Sequence, residues 1–416
     1  MFDLLDMDFE TAAETGHSGP YIPAASECMR CGMCVSVCPT FKLFQIDQET
    51  PRRRLRTISK LLVEDSPISD EERIHLHNCL QCRACEPACP SHVAYGELFD
   101  QAQVKLQTTR NWLAKLAFWM IEQKRWRARL MPLLTLYLKT GLQKPIRQSG
   151  LLKILGLADA EALLAQPALK PLNSLYPTRA VRRGTVALFT GCIAEQFDRD
   201  TLIASIKLLN IIGFDVLVPP QQGCCGAIHQ HNGQSAAELI ANNLRVFNPL
   251  DVDAVIHTAT GCGAMLSEYQ ADDTTGSQQF CQRLTDINSF LLQHWPDSLK
   301  LESARLKVAV HEPCSQRNVL KNQQAVYALL EKIPDMTVVP LANNAICCGA
   351  GGSYMLTHPE NAEQLRALKH AAIHQAQADW VVSSNFGCAF FFSTGTEKIL
   401  HPLVLLTRQL PASARF

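Results

Sequence analysis

Two short cysteine runs near the N-terminus constrain this chain more than any other feature. Cys28, Cys31, Cys34 and Cys38 precede Pro39, and Cys79, Cys82, Cys85 and Cys89 precede Pro90. Each run is C-x2-C-x2-C-x3-C-P, the bacterial iron–sulfur spacing. Three thiolates at such intervals wrap a tight loop around one face of a cubane. The fourth lies one helical turn further on and points away, and the proline helps the chain leave the loop. In two-cluster ferredoxins the fourth cysteine of each run ligates the other cluster. The spacing therefore predicts one [4Fe-4S] cluster on Cys28, Cys31, Cys34 and Cys89, and a second on Cys79, Cys82, Cys85 and Cys38. The alternative is two zinc knots, but zinc normally takes paired C-x2-C spacings rather than a four-cysteine run ending in proline.

Forty residues separate the runs. They hold Arg52, Arg53, Arg54, Arg56 and Lys60, with Leu55, Ile58, Leu61 and Leu62 at helical spacing. This predicts a helix with a solvated basic face; docking onto an acidic partner is the other use of such charges. A linker of this length makes the module a helical variety of ferredoxin.

Composition narrows what the rest can be. The 416 residues are 47% hydrophobic and 19% charged, as in a globular protein of several domains. Lys+Arg and Asp+Glu both number 39, so no global basic field favours nucleic acid. The N-terminus, MFDLLDMDFE, is acidic and has no secretory pattern, and no apolar stretch reaches the ~18 residues of a membrane span. The expected compartment is a reducing cytosol, where the 17 cysteines serve as metal ligands or redox thiols rather than disulfides.

Residues 106–180 contain no cysteine. From Asn111 to Leu155 there are nine Lys/Arg, among them Lys124, Arg125, Arg127 and Arg129, against one acid, Glu122. Trp112, Phe118, Trp119, Trp126 and Tyr137 are interleaved, and Leu113, Leu116, Ala117 and Met120 recur at helical spacing. Such basic amphipathic helices lie on a membrane surface, dock on a partner, or pack on their own domain with arginines in solvent.

The C-terminal half repeats itself. Val186–Cys192 (VALFTGC), GFDVLVPP, Cys224-Cys225-Gly226 and AVIHTATGC ending at Cys262 are matched by Val308–Cys314 (VAVHEPC), DMTVVPL, Cys347-Cys348-Gly349 and WVVSSNFGC ending at Cys388. The cysteine offsets are 122, 123 and 126 residues, which indicates a duplicated module. Apolar β-branched runs alternate with helical stretches, so each copy is expected to be a parallel sheet covered by helices. Ligands of such sheets sit beyond the carboxyl ends of the strands. Cys192, Cys262, Cys314 and Cys388 should follow directly after strands and each CCG pair should lie in a loop after its own strand, so that Cys192, Cys224, Cys225 and Cys262, and likewise Cys314, Cys347, Cys348 and Cys388, gather at one sheet edge. Gly226 and Gly349 would let the backbone approach a bulky group. The thiols could hold iron–sulfur or zinc, form a redox pair, or pack as small hydrophobes. His229, His231 and His311 read as ordinary polar residues, with donation to the sites the alternative. Cys281 has no counterpart and reads as structural.

Taken together, the two ferredoxin runs followed by two CCG (cysteine-rich) modules resemble the bacterial glycolate oxidase (glycolate dehydrogenase) iron–sulfur subunit family. The layout is also similar to the iron–sulfur subunits of lactate-utilisation systems and anaerobic glycerol-3-phosphate dehydrogenase, and the CCG modules to heterodisulfide reductase. The fullest CCG pattern ends in C-x-x-C. Here Met265 and Phe391 stand at the last position, so each copy lacks a fifth thiol. The resemblance implies an electron-transfer subunit with two [4Fe-4S] clusters and a further iron–sulfur centre or zinc in the CCG modules. It implies FAD on a separate subunit that oxidises glycolate to glyoxylate, and onward transfer to quinone or a membrane acceptor. A cytoplasmic protein, peripheral on the inner membrane through 111–155, is the matching location. A thiol–disulfide catalyst at the CCG cysteines is the rival function. The expected architecture is α/β with an N-terminal helical ferredoxin-like module (1–105), a basic helical connector (106–180) and two CCG domains (181–300 and 301–416).

Overall fold

A computed structural model describes residues 28–29, 31–106, 112–269, 275–393 and 399–412. The acidic N-terminal decapeptide and Asn111 lie outside the described residues.

The N-terminal module is helical. Between the cysteine runs, the helix Pro51–Leu62 starts with proline in its first turn, and the Thr50 side chain accepts a hydrogen bond from the Arg53 amide. Ser69 and Glu72 form a capping box on the helix Asp70–His77. Leu55, Ile58 and Leu61 pack with Leu76 and with Leu98, Phe99 and Ala102 of the helix Tyr95–Lys105. The expectation of a uniformly solvated basic face is corrected at one position. Arg54 shares the helix face of Ile58 and Leu61 and is 2% exposed.

The connector forms the helices Trp112–Glu122, Lys124–Thr140, Gln143–Gln148, Leu151–Ile154 and Ala158–Ala162. Its basic residues divide in two. Arg127 is buried, donating to Gln196 Oε1 at 3.1 Å and to the Ile121 carbonyl at 2.6 Å. Lys124 pairs with Glu195 at 2.9 Å. These two side chains therefore fasten the connector to the first CCG module and do not stand in solvent. Arg125 and Arg129 are exposed, as are Trp126, Leu133 and Leu136.

The C-terminal half is mixed α/β with two sheets. The first has strands β1 (Leu175–Tyr176), β2 (Gly184–Phe189), β3 (Phe214–Leu217), β4 (Ala254–His257) and β5 (Leu284–Asp286), in the order β1-β3-β2-β4-β5. The second has β6 (Lys307–His311), β7 (Thr337–Pro340), β8 (Trp380–Ser383) and β9 (Ile399–Leu400), in the order β7-β6-β8-β9. All pairings are parallel except β1 with β3, an antiparallel edge contributed by the end of the 106–180 segment. Without β1 the two sheets have the same strand order. The central strands β2 and β6 are buried along most of their length because helices cover both faces.

The two CCG modules share one core. Val186, Leu188 and Ile256 of the first sheet belong to the same apolar cluster as Val308, Val310 and Val382 of the second. Leu403 and Leu406, on the helix Pro402–Arg408, fill the space between them. A boundary at residue 300 thus divides the sequence repeat but runs through a continuous core.

Candidate functional site

The fold brings the eight N-terminal cysteines into two cavities. One is lined by Cys28, Cys31, Cys34 and Cys89, with Arg52 beside them. The other is lined by Cys38, Cys79, Cys82 and Cys85, with Arg54 and Tyr95. Each cavity takes three cysteines from one run and the fourth from the other, the exchange expected from the spacing. No group of three or more His, Cys, Asp or Glu among the described residues is gathered as for a single metal ion.

Polar groups surround the second cavity. The Gln81 amide donates to Cys79 Sγ at 3.5 Å and the Tyr95 hydroxyl to the same sulfur at 3.7 Å. The Arg54 guanidinium reaches Cys38 Sγ at 3.8 Å, Thr40 Oγ1 and the Glu49 carbonyl at 2.8 Å each, and the His75 carbonyl at 2.6 Å. It also pairs with the Glu49 carboxylate, which is 1% exposed. Burial opposes the charge on Arg54, yet the anions of Cys79, Tyr95, Cys38 and Glu49 hold its pKa above the ordinary arginine value. Burial pushes the thiols of Cys79, Cys82 and Cys85 above theirs. Thiols placed in this way ionise together only beside a compensating cation, and an iron cluster supplies that charge. The donor set and the cavities therefore fit such a group.

Each CCG module gathers its four cysteines in a chain. In the first copy Cys192 neighbours Cys224, and Cys225 neighbours both Cys224 and Cys262. In the second copy Cys347 stands beside Cys314 and Cys348, and Cys348 Sγ lies 3.0 Å from Cys388 Sγ. Its neighbours Cys314 and Cys348 hold the Cys347 thiol well below the ordinary value, and both of them are pushed up.

Two details differ from what the spacing suggested. Cys262 and Cys388 do not follow strands directly; each is the third residue of a helix, Thr260–Ser267 and Phe386–Phe392. The glycines of the CCG pairs serve the backbone and helix packing rather than access. Gly226 has φ 97° and Gly349 φ 92°, and a Cβ would meet Ala236 Cβ at 2.9 Å or the Ala362 carbonyl at 2.7 Å. His229 and His231 face carboxylates, Glu122 at 2.9 Å and Asp100 at 3.4 Å, and His311 Nδ1 meets Ser383 Oγ at 3.0 Å. Cys281 stands outside the first thiol set, with Sγ donating to the Leu266 carbonyl at 3.5 Å.

Sequence reasoning missed several residues that build these sites. Gln222 donates to the Leu188 carbonyl and accepts from the Thr190 amide, fixing the end of β2 just before Cys192. Asn344 does the same for Val310 and Glu312 at the end of β6. Their common offset of 122 residues was present in the repeat. Two buried cations carried no such signal. Arg127 lies close enough to favour the Cys192 thiolate. Lys369 is fully buried on the helix Pro359–Ala376 and donates to the Asn343 carbonyl at 2.6 Å. Burial lowers its pKa against the opposing pull of Cys348, Cys347, Cys388 and Cys314. Among the described residues neither cation pairs with a carboxylate.

The second ferredoxin set abuts the second CCG set. Cys82 and Cys347 feel each other's charge, and Leu80 and Cys82 pack in the core that contains Cys347, Cys348 and Cys388. Asn318 Nδ2 donates to the Cys82 carbonyl at 2.7 Å, and Arg83 forms an ion pair with Glu268 of the first copy.

Comparison with known proteins agrees with this organisation. A 4Fe-4S dicluster domain matches residues 24–93, and a cysteine-rich domain matches both 186–267 and 308–393. A glycolate oxidase iron–sulfur subunit linker region matches 109–164. The chain is 35% identical over 398 residues to a probable glycolate oxidase iron–sulfur subunit of Bacillus subtilis, covering 89% of each protein. It is 28% identical to the glycolate oxidase iron–sulfur subunit of Escherichia coli, covering 92% of this chain and 93% of that one. Lactate utilization protein A of Geobacillus kaustophilus is 28% identical over 215 residues, which span 49% of this chain and 87% of that protein.

Proposed function

The chain belongs to the family of glycolate oxidase iron–sulfur subunits, and we propose that it is the electron-transfer subunit of a flavin-dependent 2-hydroxy-acid dehydrogenase complex. In this reading an FAD-bearing partner oxidises glycolate to glyoxylate, and this chain passes the electrons toward quinone or another membrane acceptor. The observation that carries the reading is the pair of cavities, each lined by three cysteines of one run and one of the other. Cys28, Cys31, Cys34 and Cys89 would hold one [4Fe-4S] cluster, and Cys79, Cys82, Cys85 and Cys38 the second. Such a group exchanges single electrons with little rearrangement, at a potential set by charge, hydrogen bonds and burial. The chain's own contribution is to bind and orient the group, exclude water and place Arg54 and the donors to Cys79 beside it.

The CCG cysteines are proposed ligands of a further iron–sulfur centre in each module. Arg127 and Lys369 support this. A buried cation without an anion costs several kcal/mol, and an anionic metal–thiolate centre beside each one removes that cost. A second reading, a thiol–disulfide catalyst, draws on the contact between Cys348 and Cys388; turnover of a disulfide by the isolated chain would favour it.

No helix among the described residues is long and apolar enough to cross a membrane. For peripheral attachment to the cytoplasmic face of the inner membrane we propose the exposed face of the helix Lys124–Thr140, with Trp126, Leu130, Leu133 and Leu136 beside Arg125, Arg129 and Lys139. Replacing Arg125 and Arg129 by glutamine should weaken sedimentation with anionic vesicles by about 1 kcal/mol per charge. If the wild-type chain stays in the supernatant at low salt, this face has another use.

The experiment for the main reading is anaerobic co-purification. Iron and sulfide should exceed the content of two cubanes, and a flavin-containing subunit should accompany the chain. Recovery of zinc in place of iron would refute the proposal.

A further inference from the structure

The helices that carry Cys262 and Cys388 meet across the joint between the two sheets, and the Asn385 side chain spans that joint. Asn385 precedes the helix Phe386–Phe392, a position where asparagine ordinarily accepts from the helix's own first-turn amides. Here it makes no such bond. Its Oδ1 instead accepts from the amide of Gly261, the neighbour of Cys262 in the first copy, at 3.0 Å. Its Nδ2 lies 3.3 Å from Cys388 Sγ in the second copy. The orientation of the carboxamide is fixed, because a backbone amide can only donate and so must face Oδ1.

The surroundings hold this bridge in place. The Thr260 amide donates to the Ser384 carbonyl at 3.0 Å, and Ser315 Oγ meets Thr260 Oγ1 at 2.9 Å. A Cβ on Gly261 would come within 3.1 Å of Asn385 Oδ1, so the approach depends on glycine. The arrangement is one-sided. The position 126 residues earlier is Ala259, which has no side-chain donor to offer Cys262.

We propose that Asn385 is a positioning residue that couples the two thiol sets and makes them electronically unequal. The inference rests on the reading that the CCG cysteines hold redox centres. An N–H···S bond withdraws electron density from a ligating sulfur and so favours the reduced state. The second set, which receives this bond at Cys388, then has the higher potential of the two. The same carboxamide ties the helix carrying Cys262 to the helix carrying Cys388, so displacement at one set is felt at the other.

The test is a redox titration of the anaerobically purified complex, followed by electron paramagnetic resonance, with iron counted in every sample. The signal of the second set is identified by its loss in Cys388→Ser. Asn385→Ala, which installs the residue of the first copy, should shift that signal's midpoint downward while iron content and the ferredoxin signals stay unchanged. Gly261→Ala, in the other copy, should shift the same signal by crowding Oδ1. Asn385→Asp keeps the acceptor, removes the donor and adds a carboxylate charge beside Cys388; both changes should lower the midpoint even where Asn385→Ala proves unstable. A second-set midpoint that stays put in Asn385→Asp and Gly261→Ala would overturn the inference and leave the cluster reading intact. A wild-type complex with no signal sensitive to Cys388→Ser would overturn both.

Discussion

Replacing Lys369 by methionine separates the two meanings of the CCG cysteines, because they predict effects of opposite sign. Lys369 is fully buried, its described hydrogen bond is to a backbone carbonyl, and four cysteines of the second copy lie within electrostatic reach. If those cysteines are neutral packing residues, the ammonium is a desolvated charge with no counter-ion. Exchanging it for an apolar side chain of similar length should then be neutral or stabilise the chain by about 1–4 kcal/mol. If they hold an anionic centre, the exchange removes an attraction. At an effective dielectric near 20 that attraction is about 2–4 kcal/mol per unit charge over roughly 4–8 Å. A one-electron couple moves about 59 mV per 1.4 kcal/mol, so the midpoint of the second set should fall by about 80–170 mV, less whatever solvent screens. The assay is a redox titration of the iron-loaded Lys369→Met chain, paired with its urea unfolding. Unchanged iron and unchanged midpoints, together with a more stable chain, would refute the argument that this cation faces an anionic centre.

Three further outcomes follow from the same geometry. Cys38→Ser should abolish the paramagnetic signal of the cluster held mainly by Cys79, Cys82 and Cys85, because Cys38 lines their cavity; loss of the other cluster's signal instead would contradict the exchange of ligands. Arg54→Met should cost about 3–5 kcal/mol by leaving the Glu49 carboxylate buried without its cation; a change below about 1 kcal/mol in urea unfolding would show that His75 and Asn78 suffice for Glu49. His401 concerns pH. Burial holds its pKa down to about 4, and its neutral ring accepts from the Leu403 amide on Nδ1 and meets the Thr258 carbonyl through Nε2. A depressed folded-state pKa gives stability that is whole above about 6.5 and is lost as pH falls toward 4. Between pH 7.5 and 5 the loss should be about 2 kcal/mol. In His401→Asn, which keeps a capping acceptor, the difference from wild type should shrink by that amount as the pH drops; a pH-independent difference would rule out this linkage.

The parts legible in the sequence are those encoded by local spacing. The C-x2-C-x2-C-x3-C-P runs, the helix at 51–62 and the strand–helix alternation of both CCG copies depend on contacts within a few residues or on a period, and a linear reading finds them. The helical connector was legible for the same reason, but the fate of its charges was not. Arg125 and Arg127 are the same kind of residue two positions apart. One is exposed and the other buried, because Gln196 and the Ile121 carbonyl happen to meet the second.

What the sequence by itself carries is a grouping of the thiols, since spacing and a near-constant offset sort sixteen of them into proposed sets. The tertiary structure alone decided what stands next to them. Arg54, Arg127 and Lys369 look like surface residues in a linear reading, because burial of a charge depends on partners brought from distant segments. Asn385 looks like an ordinary helix cap, because the Gly261 amide it meets is 124 residues away. The proximity of Cys82 to Cys347 likewise depends on how the ferredoxin module packs against the second CCG module. Coulombic and hydrogen-bond effects fall off over a few ångströms of space, and separation along the chain does not measure that distance.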